Sequence, residues 1–289
     1  MQEGSLRLRD GRTLAWAELG DPAGFPVLAF HGTPGTHHQV TVDDAPMRAT
    51  GVRFIAPDRP GYGASTYAPK RTLPEWADDV RQLADHLGLE RFGVVGLSGG
   101  GPHAAVCARF LGDRVTAVAI LSGIGPVAEP GTEAGMMPAN RLFVRVSRRL
   151  PKLNAVPFGL LTALGRRTPD RVMAQMAKMA PAPDAAVFAL PAVQAAFRRD
   201  LAGAGKTAGR AAAQDFGLMA RDWGFRLEDI TTPVDVWQGE ADVNVPAEHA
   251  RRQAAAIPGA TLHLHPGEGH FMALAHMEAV LRTLLSHGR

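Results

Sequence analysis

The sequence is short of cysteine, tyrosine, lysine and long apolar runs. A single cysteine, Cys107, among 289 residues excludes an intramolecular disulfide and a Cys-rich zinc module, and it fits a reducing compartment. No apolar run reaches the roughly 18–20 residues of a membrane span. The opening stretch MQEGSLRLRDGR lacks the basic–apolar–small order of a secretory signal. These absences lead us to expect a cytoplasmic protein without a membrane partner. Only four of the 31 basic residues are lysine (70, 152, 178 and 206), so arginine carries the positive charge. Such an arginine excess is what a GC-rich genome writes anywhere. A pI near 9.4 with a net charge of only +3 therefore makes no case for nucleic acid as a partner. With 46% hydrophobic and 20% charged residues, the chain has the composition of a folded protein with a large core.

Short β-like runs alternate with helical patterns. Residues 27–30 (VLAF), 52–56 (VRFIA), 92–97 (FGVVGL) and 115–121 (VTAVAIL) are apolar runs bounded by Gly, Pro or Asp, as expected of strands buried on both faces. Leu73, Trp76, Val80, Leu83, Ala84 and Leu87 recur at helical spacing and predict a helix over 72–87, stopped by Gly88. Further helices are expected over 100–111, 248–257 and about 273–286, and further strands over 234–238 and 261–265. Residues 6–9 and 13–19, split by Asp10-Gly11, read as a hairpin. The alternation predicts an α/β fold, a mostly parallel sheet with helices on both faces.

One stretch breaks the alternation. Residues 127–226 carry no strand pattern, six of the ten methionines and repeated Pro or Gly breaks. We read 127–226 as a helical cap inserted into a core domain made of 1–126 and 227–289. The same stretch holds 15 Lys/Arg against 7 Asp/Glu, so a substrate passing it is expected to meet positive charge, which disfavours a cationic one.

Gly96-Leu97-Ser98-Gly99-Gly100 follows a buried strand and opens a helix. A sharp strand-to-helix turn that lifts a serine out of the sheet needs small residues on either side, because side chains there would collide. Ser98 is thus the candidate nucleophile, with Gly96 and Gly100 shaping its turn. The same glycines mimic a dinucleotide fingerprint (Gly99, Gly101, Ala104), but the acid expected after the next strand is missing. Gly205-Lys206-Thr207 resembles half a phosphate loop, yet no strand precedes it.

A serine needs a base and an orienting acid. Gly239-Glu240-Ala241-Asp242 follows one late strand, and Gly267-Glu268-Gly269-His270 follows the next. Both turns fall at the carboxyl edge of a parallel sheet, where Ser98 also lies. His270 is read as the base and Asp242 as the acid that holds its tautomer, while Glu240 faces solvent. His31-Gly32-Thr33-Pro34-Gly35 follows the first buried strand. Gly32 permits a tight turn, and the backbone N–H groups of Thr33 and Gly99 are the candidate oxyanion hole. His31 is read as structural, and Asp58-Arg59-Pro60-Gly61-Tyr62-Gly63-Ala64-Ser65 as a loop bracing the hole.

These motifs together resemble the α/β-hydrolase superfamily. HGTPG, DRPGYGAS, GLSGGG, GEAD and GEGH stand in that family's order and spacing over about 1–126 and 227–289. The resemblance implies Ser98, Asp242 and His270 as a catalytic triad. HGTPG is also similar to the HGGPG of proline-iminopeptidase-like members, which usually carry a bulky residue where this chain has Gly99. Epoxide hydrolases and haloalkane dehalogenases use an aspartate nucleophile; this chain has Ser98.

The expected activity is hydrolysis of carboxylic esters of small, largely apolar acyl groups, without a cofactor. The alternatives are the same residues acting on a thioester, lactone, amide or C–C bond, or an idle ligand-binding scaffold. Met173, Met176 and Met179 are read as core packing rather than pocket lining. His263 and His265 share a strand face, but no carboxylate completes a metal set there, so no metal is expected.

Overall fold

The protein is described by a computed structural model covering residues 1–288. A hairpin of β1 (Gln2–Arg7) and β2 (Thr13–Gly20) leads into β3 (Phe25–Phe30), α1 (Ala45–Thr50), β4 (Val52–Pro57) and α2 (Trp76–His86). Then come β5 (Phe92–Leu97), α3 (Gly101–Phe110) and β6 (Val115–Leu121). Six helices follow without a strand: α4 (Pro138–Arg149), α5 (Ala155–Arg167), α6 (Pro169–Met179), α7 (Ala182–Phe188), α8 (Pro191–Gly203) and α9 (Ala208–Met219). The chain closes with β7 (Val234–Gly239), α10 (Ala247–Ala256), β8 (Thr261–His265) and α11 (Met272–Ser286).

The eight strands form one sheet in the order β1-β2-β4-β3-β5-β6-β7-β8. Only the pairs involving β2 are antiparallel; β4 through β8 run parallel. Side chains alternate between two cores. Leu28, Phe30, Val94, Val118, Ile120 and Val236 face a core covered by α2, α3 and α10. Their neighbours Val27, Ala29, Val95, Ala117, Ala119 and Leu121 face one covered by α1 and α11. Because both faces are covered, the central strands are apolar throughout, which made them readable from the sequence.

Two details differ from expectation. Regular helix in α2 starts at Trp76 rather than Thr72, since the Thr72 N–H is taken by the Glu75 carboxylate and Trp76 N–H bonds to Leu73 O across Pro74. α1, six residues with a proline in its first turn, is too short to show a periodic pattern. The helices α4–α9 join β6 to β7, and α5 and α9 cross closely: a Cβ on Gly209 would lie 2.5 Å from the Gly159 Cα. Among the described residues no helix is long and apolar enough to cross a membrane.

Candidate active site

β5 ends at Leu97 and the chain turns at once. Ser98 has φ 53°, a left-handed conformation that a residue with a side chain adopts only where its surroundings enforce it. The enforcement is visible in the flanking glycines. A Cβ on Gly96 would lie 2.6 Å from Gly100 O and 2.7 Å from the Ala104 Cβ, and one on Gly100 would lie 2.3 Å from Phe30 O. His103, buried in α3, bonds through Nδ1 to Gly99 O at 3.0 Å and pins the turn from below. Burial, then the nearby Arg59, holds the His103 ring well below its ordinary pKa, so it is neutral.

The turns after β7 and β8 are strapped together by backbone. Glu240 N–H donates to His265 O (3.0 Å) and Ala241 N–H to Glu268 O (2.9 Å). Gly239 permits this approach: a Cβ there would lie 2.3 Å from Gly269 O. The strap brings Asp242 to His270. Nδ1–H of His270 donates to Asp242 Oδ2 at 2.7 Å, and Gln238 Nε2 donates to the same oxygen at 2.9 Å. The other oxygen accepts the N–H groups of Asn244 (2.7 Å) and Val245 (2.9 Å). Every direction of the carboxylate is thus occupied, which fixes it against the ring. Burial lowers the His270 pKa, but the Asp242 carboxylate, with help from Asp184, outweighs burial and lifts it above the ordinary 6.5. Glu240 instead pairs with Arg251 at the surface.

The loop after β3 is held as firmly. His31 is fully buried; its Nδ1–H donates to Gly32 O (2.8 Å) and its Nε2 accepts the Arg59 N–H (3.0 Å). Burial, then Arg59, pushes its pKa down to about 3, so the ring is a neutral strut. Gln39 Oε1 accepts the Gly32 N–H at 3.0 Å. Among the described residues nothing takes the Thr33 N–H, and a Cβ on Gly99 would lie 3.1 Å from that nitrogen. The amides of Thr33 and Gly99 are therefore neighbours at the N-terminal end of α3, where partial positive charge collects. The Thr33 hydroxyl fills the space beside Gly99, 2.3 Å from where a Cβ would stand.

Ser98, Gly99, Thr33, Gly32 and His270 line one cavity of about 660 Å³, with Asp242 behind the imidazole. The Ser98 hydroxyl has no hydrogen-bond partner among the described residues and stands open to this space. Helices α4–α9 supply most of the cavity wall, largely aromatic and aliphatic: Phe143, Phe158, Phe188, Phe216, Leu161 and Leu164. Two of the three methionines on α6, Met176 and Met179, also line it, whereas Met173 packs in a small core beneath. The core-packing reading thus holds for Met173 and in part for Met176, which packs against that core while also lining the cavity.

Sequence reasoning missed three buried carboxylates that descend from these helices. Asp215 on α9 accepts from Arg59 Nη2 (2.9 Å), Tyr62 OH (2.9 Å), Thr33 Oγ1 (3.2 Å) and Arg71. Arg59 in turn donates to His31 O, to Gly32 O at 3.2 Å and to Thr33 Oγ1 at 2.7 Å. Asp200 on α8 accepts from Thr36 N (2.6 Å), Thr36 Oγ1 (2.8 Å) and Gln39 Nε2 (3.1 Å). Asp184 on α7 accepts the Phe271 N–H at 3.0 Å, next to His270. The positive count of 127–226 does not carry inward. The formally charged side chains on the cavity wall are Asp184, Asp200 and Arg171, besides His270. The positive charge of this stretch is therefore not repeated on the cavity wall, and most of its arginines are exposed on the outside.

Other sequence features find plain roles. Thr207, of the Gly-Lys-Thr run between α8 and α9, donates to Gly61 O at 2.8 Å. Cys107 is fully buried in the core, and burial pushes its thiol pKa up. The expectation that no carboxylate joins the late-strand histidines is corrected. Glu268 stands beside His265 and His276, with ligand atoms of all three within 4.8 Å of one another. A turn residue and a residue on α11 were brought there by the fold, which spacing on one strand could not show.

A family model described as "alpha/beta hydrolase fold" matches residues 26–276. A bifunctional esterase/perhydrolase of Acinetobacter calcoaceticus is 26% identical over 298 residues, which span 98% of both proteins. The solved structure of an alpha/beta hydrolase fold protein from Nakamurella multipartita matches 100% of both chains with a TM-score of 0.68 at 27% identity. A thermophilic esterase from Thermogutta terrifontis, at 24% identity, shares the fold over 99% of this chain and 97% of its own, with a TM-score of 0.69. A likeness that runs through the sheet, its turns and the helices above them makes this chain a member of the α/β-hydrolase fold family, and a hydrolase.

Proposed function

We propose that the protein is a serine esterase in which Ser98, His270 and Asp242 act as a triad and helices α4–α9 form a cap over an acyl pocket. The observation that carries this reading is the pairing of a strained, open Ser98 with an Asp242-anchored His270 on one cavity wall. His270 Nε2 takes the proton from Ser98 Oγ as the oxygen attacks the ester carbonyl. The N–H groups of Thr33 and Gly99 receive the developing oxyanion. The tetrahedral intermediate collapses, the alcohol leaves with the proton from His270, and Ser98 holds the acyl group. Water, deprotonated by His270, then releases the acid and restores the serine. No step requires a cofactor.

The cavity refines the substrate. About 660 Å³ with an aromatic and aliphatic wall is within the range of sites that enclose a whole small molecule, roughly 300–1,000 Å³. An acetyl group would leave most of that wall in contact with water, so a longer or aromatic acyl group is the better fit. The likeness to an esterase/perhydrolase along almost the entire chain supports the ester. It also supports hydrogen peroxide as a second acyl acceptor, which would give a peracid from the same acyl-enzyme.

The test is a p-nitrophenyl ester series with a fluorophosphonate probe. Octanoate or benzoate esters should exceed acetate in kcat/KM, and the probe should label Ser98. Ser98→Ala should lower kcat by roughly 10⁴-fold or more with the fold intact. Retention of most turnover by Ser98→Ala would overturn the assignment.

A further inference from the structure

His265 at the end of β8, Glu268 in the following turn and His276 on α11 converge beside the turn that carries His270. His276 Nε2 lies 2.9 Å from each Glu268 carboxylate oxygen. His265 Nδ1 stands 4.0 Å from the nearer one. The two imidazole rings are 4.5 Å apart, tilted by 37°. All three side chains are partly exposed, at 21%, 38% and 33%, so an ion could reach them from solvent.

A plain histidine–carboxylate hydrogen bond accounts for only part of this arrangement. His276 satisfies Glu268 by itself. His265 is too far to donate to that carboxylate, yet its ring is directed into the same small space. Two rings and one carboxylate around a common point are poorly matched to a single proton and well matched to one dication. The adjacent set contrasts with it. Asp235 is already saturated, with His263 Nε2 on one oxygen at 2.7 Å and His287 Nε2 on the other at 2.8 Å.

We propose that His265, Glu268 and His276 form a binding site for a borderline divalent ion of the zinc class. Two imidazoles and a carboxylate are a recurring zinc ligand set, with a fourth position left to water. Bonds of about 2.0–2.2 Å in a tetrahedron put the ligand atoms about 3.4 Å apart, so the observed 2.9 and 4.0 Å spacings need only small side-chain adjustments. Imidazole nitrogen excludes magnesium and calcium, which demand oxygen ligands. The ion would tie β8 and α11 across the turn that carries His270. It is a structural site, apart from the ester chemistry and independent of which bond the hydrolase cleaves.

The test is calorimetric titration of Zn²⁺ into untagged, chelator-stripped protein, with thermal unfolding measured in Zn²⁺, in Mg²⁺ and in chelator. One equivalent of Zn²⁺ should bind, and Tm should rise by a few degrees at about a hundredfold excess over Kd. Mg²⁺ should do neither. Glu268→Gln and His276→Ala should each weaken binding about tenfold or more, with Tm in chelator close to wild type. His263→Ala should bind as wild type does. The proposal is overturned if no one-equivalent binding occurs at up to about 100 μM Zn²⁺, the concentration of a site too weak to matter. Binding that survives intact in the Glu268→Gln, His276→Ala double variant would also overturn it.

Discussion

Asp215→Asn should damage the protein far more than Asp200→Asn, although both carboxylates are buried and both join the cap helices to the loop after β3. The difference lies in what faces them. Asp215 is fully buried between two cations, Arg59 and Arg71, with Arg59 itself fully buried. Asp200 is held by Thr36 and Gln39, all neutral donors. Removing one partner from a buried ion pair leaves an uncompensated charge and costs about 3–5 kcal/mol. For a chain of this size that corresponds to a fall in Tm of roughly 5–8 °C. Asp200 carries no such pair. Burial pushes its pKa up to about 6, so at neutral pH the fold holds an unneutralised carboxylate that asparagine would replace at little cost.

The functional consequence follows the same contacts. Arg59 and Asp215 together hold the Thr33 side chain and the His31 and Gly32 carbonyls. Without the carboxylate the Thr33 amide should drift from its place beside Gly99. Loss of one oxyanion donor costs about 10²–10³ in kcat, so misplacement should cost up to about 10²-fold, with KM little changed. The pH dependence has a definite sign. Burial raises the Asp215 pKa, but Arg71 and Arg59 overcome it and hold it well below the ordinary 3.8. Its stabilisation is therefore complete above about pH 4 and is lost as pH falls toward the folded-state value. The Tm gap between wild type and Asp215→Asn should be constant from pH 7 down to about 4 and close below that. Melts by circular dichroism and steady-state hydrolysis at 20 °C check both parts. If Asp215→Asn melts no lower than Asp200→Asn, the account of this network is wrong.

Other expectations rest on the same geometry. Asp242→Asn should lower kcat by about 10⁴-fold through the wrong imidazole tautomer, while Glu240→Gln should be silent in the same kinetics. The acid limb of kcat/KM should lie above pH 6.5, since His270 must be neutral to act and its pKa is raised from 6.5; a limb below that value would contradict the Asp242 pairing. Gly99→Ala should lower kcat because its Cβ would stand 2.3 Å from the Thr33 hydroxyl and 3.1 Å from the Thr33 nitrogen; a kcat close to wild type in steady-state kinetics would contradict this packing. Matched neutral and ammonium-bearing esters should differ little in their response to salt, because Asp184, Asp200 and Arg171 leave the cavity without a strong positive field.

The parts legible in the sequence are those specified locally. Residues 92–97 and 115–121 read as buried strands because every position in β5 and β6 is covered. The turn at Ser98 was legible because the collisions that require Gly96 involve Gly100 and Ala104, within a few positions, and Asp242 and His270 because each follows its strand by a short turn. What stayed hidden depends on distant partners. Arg59 meets Asp215 across 156 positions, and nothing near either residue marks the pairing. A count of charges over 127–226 suggested a positive approach because it could not separate arginines on outer helix faces from carboxylates pointing inward. Glu268 and His276, only eight positions apart, meet because α11 begins directly after the turn that carries Glu268.

Those inward carboxylates also bear on how the proposed cap, helices α4–α9, and the turns at Ser98 and His270 act together. Asp184, Asp200 and Asp215 come from three different helices, α7, α8 and α9, and each bonds a different part of the site. One holds the Phe271 amide beside His270, one the Thr36–Gln39 segment behind Gly32, and one the Thr33 hydroxyl and Arg59. A helical layer attached only by apolar contact could slide over the sheet at small cost. One attached through three buried carboxylates would have to break their hydrogen bonds to do so and, at Asp215, to unpair a buried charge at a cost of about 3–5 kcal/mol. The cavity wall on α7–α9 and the loops after β3 and β8 are therefore joined by direct hydrogen bonds. Substitutions on the cavity side of α7–α9 should change kcat as well as KM, even where the altered side chain never touches the reacting carbonyl. Ala-scanning of Phe188 and Phe216, which line the cavity on these helices, against distant surface positions such as Arg198 separates the two pictures. Changes confined to KM would mean that the cap moves independently of the chemistry beneath it.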